Sequence, residues 1–220
     1  MLDLIKGSKL ESHKSFDLGE FMSQAKVLNE RDVRRVLLFI ANNRHAVRNR
    51  AMFLTLQFTG MRCGELSALQ ISHVLGSDGK IKDEINLTAE QTKGSEGRTV
   101  YLSKKAKDEI ENYLKDKFKL KDLLAVTLTD TSRALFTTQK SASRGFTSGT
   151  IAQHFHYMYK GAGIDGASSH SSRRTFITTL ANKGVSVRVL MELAGHKAMS
   201  VTQRYIDCNT LMVRKSLELL

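Results

Sequence analysis

A chain of 220 residues, 41% hydrophobic and 25% charged, has apolar material for one sizeable core and too much of it for wholesale disorder. Its formal charge of +12 points toward a polyanionic partner, because lysine and arginine gain affinity for phosphate by releasing condensed counterions; ribosomal, membrane-surface and heparin-binding proteins share that balance, so motifs must decide. Nothing reads as a signal peptide or a bilayer-spanning run, and the two cysteines, Cys63 and Cys208, lack metal-ligand spacing, which fits a reducing cytoplasm and small half-buried apolar roles for both.

In chain order, residues 1–26 mix Leu2, Leu4 and Ile5 with Gly7, Ser8 and Ser12 and keep no period, so they read as an arm or linker, with one compact domain over 27–220. Val33, Val36, Leu37 and Ile40 recur at helical spacing after Asn29, and Ala51, Leu54, Leu56 and Phe58 mark a second helix broken at Gly60. A short helix over Arg62 to Leu69 is followed by a turn at Gly76 and Gly79. Glu84 to Leu87 and Arg98 to Leu102 alternate polar and apolar around TKGSEG, which predicts a β-hairpin with Lys93 at its tip.

Helical patterns return at Ala106 to Phe118, Ser148 to Tyr159 and Ser172 to Asn182, with Gly184 a left-handed stop. Another helix runs from Ser186 to Gly195, and a short one after Ser200 carries Tyr205 ahead of an apolar tail with Leu211, Val213, Leu217 and Leu220. The segment KKAKDEIENYLKDKFKLKD reads as a solvated helix face, with DNA contact the minority alternative. The expected class is α+β: mainly helical with one small antiparallel sheet.

The informative polar residues fall in islands: TGMRCGEL at Arg62, QTKGSEGRTVYL at Lys93, SSHSSRRTF at His170 and Arg173, LAGHK at His196, and TQRYID at Tyr205. Singly, each has a bland explanation as surface cation, turn lysine or core aromatic. Together, from about residue 29 onward, they resemble the tyrosine recombinases, also called the lambda-integrase family. That resemblance puts the family's first arginine on Arg62, its hairpin lysine on Lys93, its H-x-x-R box on His170 and Arg173, its second histidine on His196 and its nucleophile on Tyr205. Lys80, Lys82, Lys104 and Lys105 also lie near the hairpin, but only Lys93 sits at the predicted turn.

The chemistry explains the gathering. A DNA phosphodiester repels nucleophiles, so two arginines, Arg62 and Arg173, would neutralise its nonbridging oxygens, each through a planar fork that stays charged at working pH. A tyrosine hydroxyl with a pKa of about 10 must lose its proton as it attacks, and His170 is the expected acceptor. The leaving 5′-oxygen needs a proton, the role the resemblance implies for Lys93, and His196 would hydrogen-bond the phosphate or orient its neighbours. Because the 3′-phosphotyrosine link conserves energy, no ATP, metal or other cofactor is expected, and no phosphate-binding G-x-x-x-x-G-K-[ST] loop or H-E-x-x-H motif occurs.

Around this set, Glu65 is placed to hold Arg62 by an i,i+3 ion pair. Arg174 stands where the family usually has histidine or another polar residue and reads as a phosphate or structural contact. His154 and His156 face different directions, as surface or DNA-facing groups, and His13, His45 and His73 receive no role. The family's larger members carry a further N-terminal helical domain. The stretch before Asn29 is too short to build one, which leaves a minimal enzyme and a fragment both open.

The resemblance implies double-stranded DNA with inverted recombination sites as the partner, with a homo-tetramer on DNA, a monomer free in solution and DNA-bending accessory proteins. The tail is expected to dock on a neighbouring protomer or within its own core. Three competing readings remain: a non-enzymatic helix-turn-helix protein built on Ser186 to Tyr205, a type IB topoisomerase with nearly the same residues, and a decayed relative.

Overall fold

The computed structural model describes residues 25–92, 96–139, 141, 144–206 and 217–218. Lys93, Cys208, most of the expected N-terminal arm and, of the tail, Leu211, Val213 and Leu220 lie outside the described residues. The order is α1 (Glu30–Ala41), α2 (Ala46–Thr59), α3 (Cys63–Ser67), α4 (Ile71–Val74), β1 (Glu84–Leu87), a 3₁₀ turn (Ala89–Gln91) and β2 (Arg98–Tyr101). Then come α5 (Lys104–Phe118), α6 (Leu124–Thr127), α7 (Ser148–Gly161), α8 (Ser171–Asn182), α9 (Val187–Ala194) and α10 (Met199–Gln203). This is the expected mainly helical α+β architecture with one two-stranded antiparallel sheet.

The first helix starts where Asn29 caps it: the side chain accepts from Asp32 N, and the Asp32 carboxylate accepts from Asn29 N. Such a reciprocal cap is worth about 1 kcal/mol. From Ala51 to Leu56 the second helix is buried on every side, and it packs against α1, α5 and α8. A helix whose middle is enclosed all round belongs at the centre of a fold, and α2 is the axis here. Gly60 ends it in the left-handed conformation with φ 64°, and Phe176 of α8 presses so closely that any Cβ there would collide with its ring. That glycine turns the chain directly into Arg62 and α3.

The sheet register pairs Ile85 with Val100 and Leu87 with Arg98. Ile85, Leu87 and Val100 point into the core, and side chains alternate along a strand, so Arg98 shares the inward face with Val100. One surface of α5 buries Ala106, Ile110, Tyr113 and Leu114, while Arg50 grips Glu109 and Lys107 bonds Asp83. Its basic run is therefore a solvated face only in part, because the Lys117 ammonium reaches inward to the carbonyls of Ala134 and Leu135.

Three features depart from the sequence expectation. The short segments α4 and α6 and the isolated bridges Gln70–Ala134 and Thr137–Gly145 are too short to leave a period in the sequence. Tyr205 lies in a turn two residues past the end of α10 rather than on the helix. His154 is half-buried rather than fully at the surface: its Nε2 bonds Asn49 Oδ1 at 3.1 Å, and its ring packs against Phe146. Of the two places open to the tail, a neighbouring protomer or its own core, Leu217 is outside the core.

Candidate active site

Three separate chain breaks converge on one face: the α2–α3 turn, strand β2 of the hairpin, and the segment from the end of α9 through Tyr205. At the α2–α3 turn, Arg62 precedes α3 and its backbone N–H donates to Glu65 Oε2 at 2.6 Å. The Arg62 guanidinium donates through Nη1 to Glu65 Oε1 at 2.9 Å, the ion pair expected from sequence. Sequence reasoning missed the second arginine on the same carboxylate. Arg98 donates through Nε to Oε1 at 3.1 Å and through Nη2 to Oε2 at 2.7 Å.

Glu65 is 1% exposed, which by itself would raise its pKa, but the hydrogen bonds and charge of Arg98, followed by those of Arg62, hold it below the ordinary value. A visible signal for Arg98 existed: a charged residue in register with Val100 on the inward face of a strand needs a buried partner.

Arg173, in the first turn of α8, is buried at 4% exposure. It donates through Nη1 to the Gly60 carbonyl at 2.7 Å and through Nη2 to the Ala194 carbonyl at 2.6 Å. Both carbonyls sit at helix ends, where backbone dipoles leave partial negative charge, so the guanidinium is seated in the interior on backbone oxygens. Burial, then the neighbouring charge of Arg62, lowers its pKa to about 10, and it remains a cation at neutral pH. Beside it, Arg174 has a buried Nε that finds no hydrogen-bond partner among the described residues.

Gly195 ends α9 at φ 63° and releases the chain into His196. The His196 Nδ1 bonds the Thr202 hydroxyl at 2.9 Å, and its ring lies against that of Tyr205, with centroids 5.5 Å apart and planes at 21°. Burial first, then the charges of Arg173, Arg62, Arg98 and Arg204, push this imidazole down to about 4, so it is neutral at physiological pH. The turn carrying Tyr205 is tied by its own N–H to the Thr202 carbonyl at 3.0 Å and by its carbonyl to the Thr178 hydroxyl of α8 at 3.1 Å.

Arg62, Arg173, His196 and Tyr205 are thus within electrostatic or ring contact of one another. His170 stands exposed at the start of α8, one turn ahead of Arg173, with its backbone N–H on Ser168 Oγ at 3.3 Å. Lys93 falls between Thr92 and Glu96, which both line an open cavity of about 560 Å³ together with Arg62, Arg98 and His196. Across that cavity Lys197 pairs with Glu96 at 2.9 Å, joining the hairpin to the His196 loop.

The remaining candidates are structural. Cys63 is buried, its thiol donates to the Ser169 carbonyl, and burial raises its pKa to about 12, far from reactivity at neutral pH. His73 caps α4 by accepting Gln70 N at its Nδ1. Among the described residues no three His, Cys, Asp or Glu side chains form a metal-ligand cluster.

Sequence comparison with known proteins finds the tyrosine recombinase XerA of Pyrococcus furiosus, 27% identical over 194 residues, which are 88% of this chain and 61% of that protein. It also finds the tyrosine recombinase XerC of Lactobacillus delbrueckii subsp. bulgaricus, 32% identical over 160 residues, or 72% of this chain and 50% of that one. The fold superposes on the crystal structure of XerA recombinase with a TM-score of 0.67 at 25% identity, covering 88% of this chain and 64% of that one. The chain therefore spans about half to two thirds of the length of these relatives. Residues 26–211 match the phage integrase family, a span that holds both arginine turns, the hairpin and Tyr205, and the chain belongs to that family.

Proposed function

We propose that this chain is the catalytic part of a site-specific DNA recombinase, with Tyr205 as the nucleophile. The observation that carries the reading is the placement of the Tyr205 ring against a neutral His196, inside the field of Arg62 and Arg173. In the forward step the Tyr205 oxygen bonds to the scissile phosphorus and the bond from phosphorus to the 5′-oxygen breaks, leaving a 3′-phosphotyrosine and a free 5′-hydroxyl. His170 accepts the tyrosine proton, Lys93 protonates the leaving oxygen, and Arg62 and Arg173 stabilise the extra charge on the pentavalent phosphorus. Attack by a 5′-hydroxyl from another strand reverses the step and rejoins the DNA.

Duplex DNA is the substrate class, supported by the +12 charge, and paired sites with a protein tetramer follow from the need to exchange strands. A helix-turn-helix reader is disfavoured because α10 has 5 residues, about one turn, too short to track a major groove. The test is incubation of the protein with nicked or supercoiled DNA in the absence of magnesium, followed by denaturing electrophoresis. A covalent adduct that vanishes in Tyr205→Phe, with DNA affinity retained, is the expected result; tight binding without any adduct would sink the reading. Relaxation of any supercoiled plasmid would favour a type IB topoisomerase, whereas dependence on paired inverted sites favours recombination.

A further inference from the structure

The Glu65 carboxylate receives four donors in a space closed to solvent: Arg62 Nη1 and Arg98 Nε on Oε1, Arg62 N and Arg98 Nη2 on Oε2. A carboxylate offers roughly four acceptor sites, so this one is saturated. Only one of the donors is a side-chain nitrogen of Arg62, which leaves the rest of that guanidinium uncommitted to Glu65. Were Arg98 absent, two acceptor sites on a buried anion would stand empty, and the nearest cation to fill them is Arg62. Guanidinium and carboxylate prefer a two-pronged pairing, and Arg62 would rotate into it.

Arg98 does more than fill Glu65. Its Nη1 donates to the Leu193 carbonyl at 3.2 Å, next to the Ala194 carbonyl held by Arg173, so two arginines cap the end of α9 just before His196. The approach depends on Gly195, where a Cβ would collide with Arg98 Cδ. Arg98 also starts β2, on the far side of the hairpin tip from Thr92. One side chain therefore joins the hairpin, the Arg62 turn and the His196 loop.

We propose that Arg98 is a positioning residue for strand cleavage: by occupying Glu65 from two sides it keeps the Arg62 fork free for the scissile phosphate, and by capping α9 it fixes where His196 stands. This deepens the recombinase reading and rests on it. It also assigns a physical reason to Gly195, whose missing side chain makes room for the arginine.

The test uses Arg98→Gln and the charge-preserving Arg98→Lys, assayed for adduct formation on a nicked duplex carrying the sequence recovered from the wild-type adduct. A second duplex has a methylphosphonate at the scissile position; this neutral group asks less of the arginine pair. With the natural phosphodiester, Arg98→Gln should slow adduct formation about 100-fold while DNA affinity changes less than about 3-fold, and on the methylphosphonate the loss should shrink below about 5-fold. Arg98→Lys, able to keep one bond to Glu65, should fall between.

Equal losses on both duplexes would mean that Arg98 supports the fold rather than the phosphate grip, and full activity of Arg98→Gln would also overturn the proposal. Failure of the wild-type chain to form any Tyr205-linked adduct is a different result, one that removes the recombinase reading itself. In that case carboxyl NMR of Glu65 in the free protein still decides the hold: its titration should move upward in Arg98→Gln, and an unmoved Glu65 would refute it.

Discussion

The imidazole of His196 lies nearly parallel to the phenol ring of Tyr205, 5.5 Å between centroids, while its Nδ1 is bonded to the Thr202 hydroxyl. His196 and Tyr205 therefore fix each other, one by ring contact and the other through the short turn whose N–H bonds the Thr202 carbonyl. Removing the imidazole frees the tyrosine to leave its attacking position. His196→Ala should slow adduct formation by roughly 100- to 1,000-fold without loss of DNA affinity, as expected when orientation is lost. His196→Trp keeps a flat surface for Tyr205 and should recover part of the rate, and Thr202→Val should cost about 10-fold by freeing the imidazole to turn. If His196→Ala and His196→Trp proved equally slow, the ring contact would not be what matters.

Among the described residues Glu65 is the carboxylate bonded to both Arg62 and Arg98, with Arg173 close enough to feel its charge. Replacing it with a neutral isostere leaves two half-buried arginines facing one another without that anion between them. Glu65→Gln should destabilise the fold by about 3–5 kcal/mol, the usual cost of breaking a buried ion pair from one side. Urea unfolding measures this directly. Glu65→Asp keeps the charge but is one methylene shorter, so it should lose one arginine and fall between. A variant Glu65→Gln as stable as the parent would show that the arginines are solvated in ways the hydrogen bonds do not indicate.

Most of the architecture was legible because its long elements carry strong periods and clear stops. Asn29 capped the first helix, Gly60 and Gly195 ended helices in left-handed turns, and the hairpin strands fell within a residue of their alternation pattern. Three kinds of feature escaped. Elements of four residues, such as α4 and α6, are held by neighbours rather than by a period of their own. The half-buried position of His154 depends on Asn49, 105 residues away in sequence, and no local pattern announces such a pairing. Arg98 was passed over because its island was read for Lys93, although its inward register was already implied by the strand it begins.

The left-handed glycines offer a clean measurement of the Arg98 contact. Gly184 and Gly195 both follow helices with positive φ, at 83° and 63°, but a Cβ at Gly184 meets nothing, whereas one at Gly195 meets the Arg98 side chain. Gly184→Ala should therefore cost only the left-handed backbone term, about 1–2 kcal/mol. Gly195→Ala should cost more in thermal unfolding, and the excess should largely disappear in the Arg98→Gln background, since coupled neighbours are non-additive. Equal costs for the two glycines would mean that Arg98 yields without penalty.

The stability of the fold should fall on mild acidification, and two histidines set the window. Burial, assisted for His154 by Arg48 and His45 and for His196 by Arg173, Arg62, Arg98 and Arg204, holds each imidazole down to about 4, against an ordinary 6.5. A folded pKa below the unfolded one means that the unfolded chain takes up protons first as pH drops. Stability is therefore complete above about pH 6.5 and is lost progressively toward about pH 4, each histidine contributing an amount that solvent screening of its partly exposed ring reduces. Unfolding midpoints measured across that range should decline, and a flat profile would contradict the burial of both rings. Bound DNA should separate the two: a phosphate beside Arg62 and Arg173 offsets the positive field on His196 and raises its pKa, while His154, whose own cations are Arg48 and His45, stays where it was. Histidine NMR with and without duplex reads both at once, and a shift at His154 in place of His196 would put the phosphate on the wrong face of the molecule.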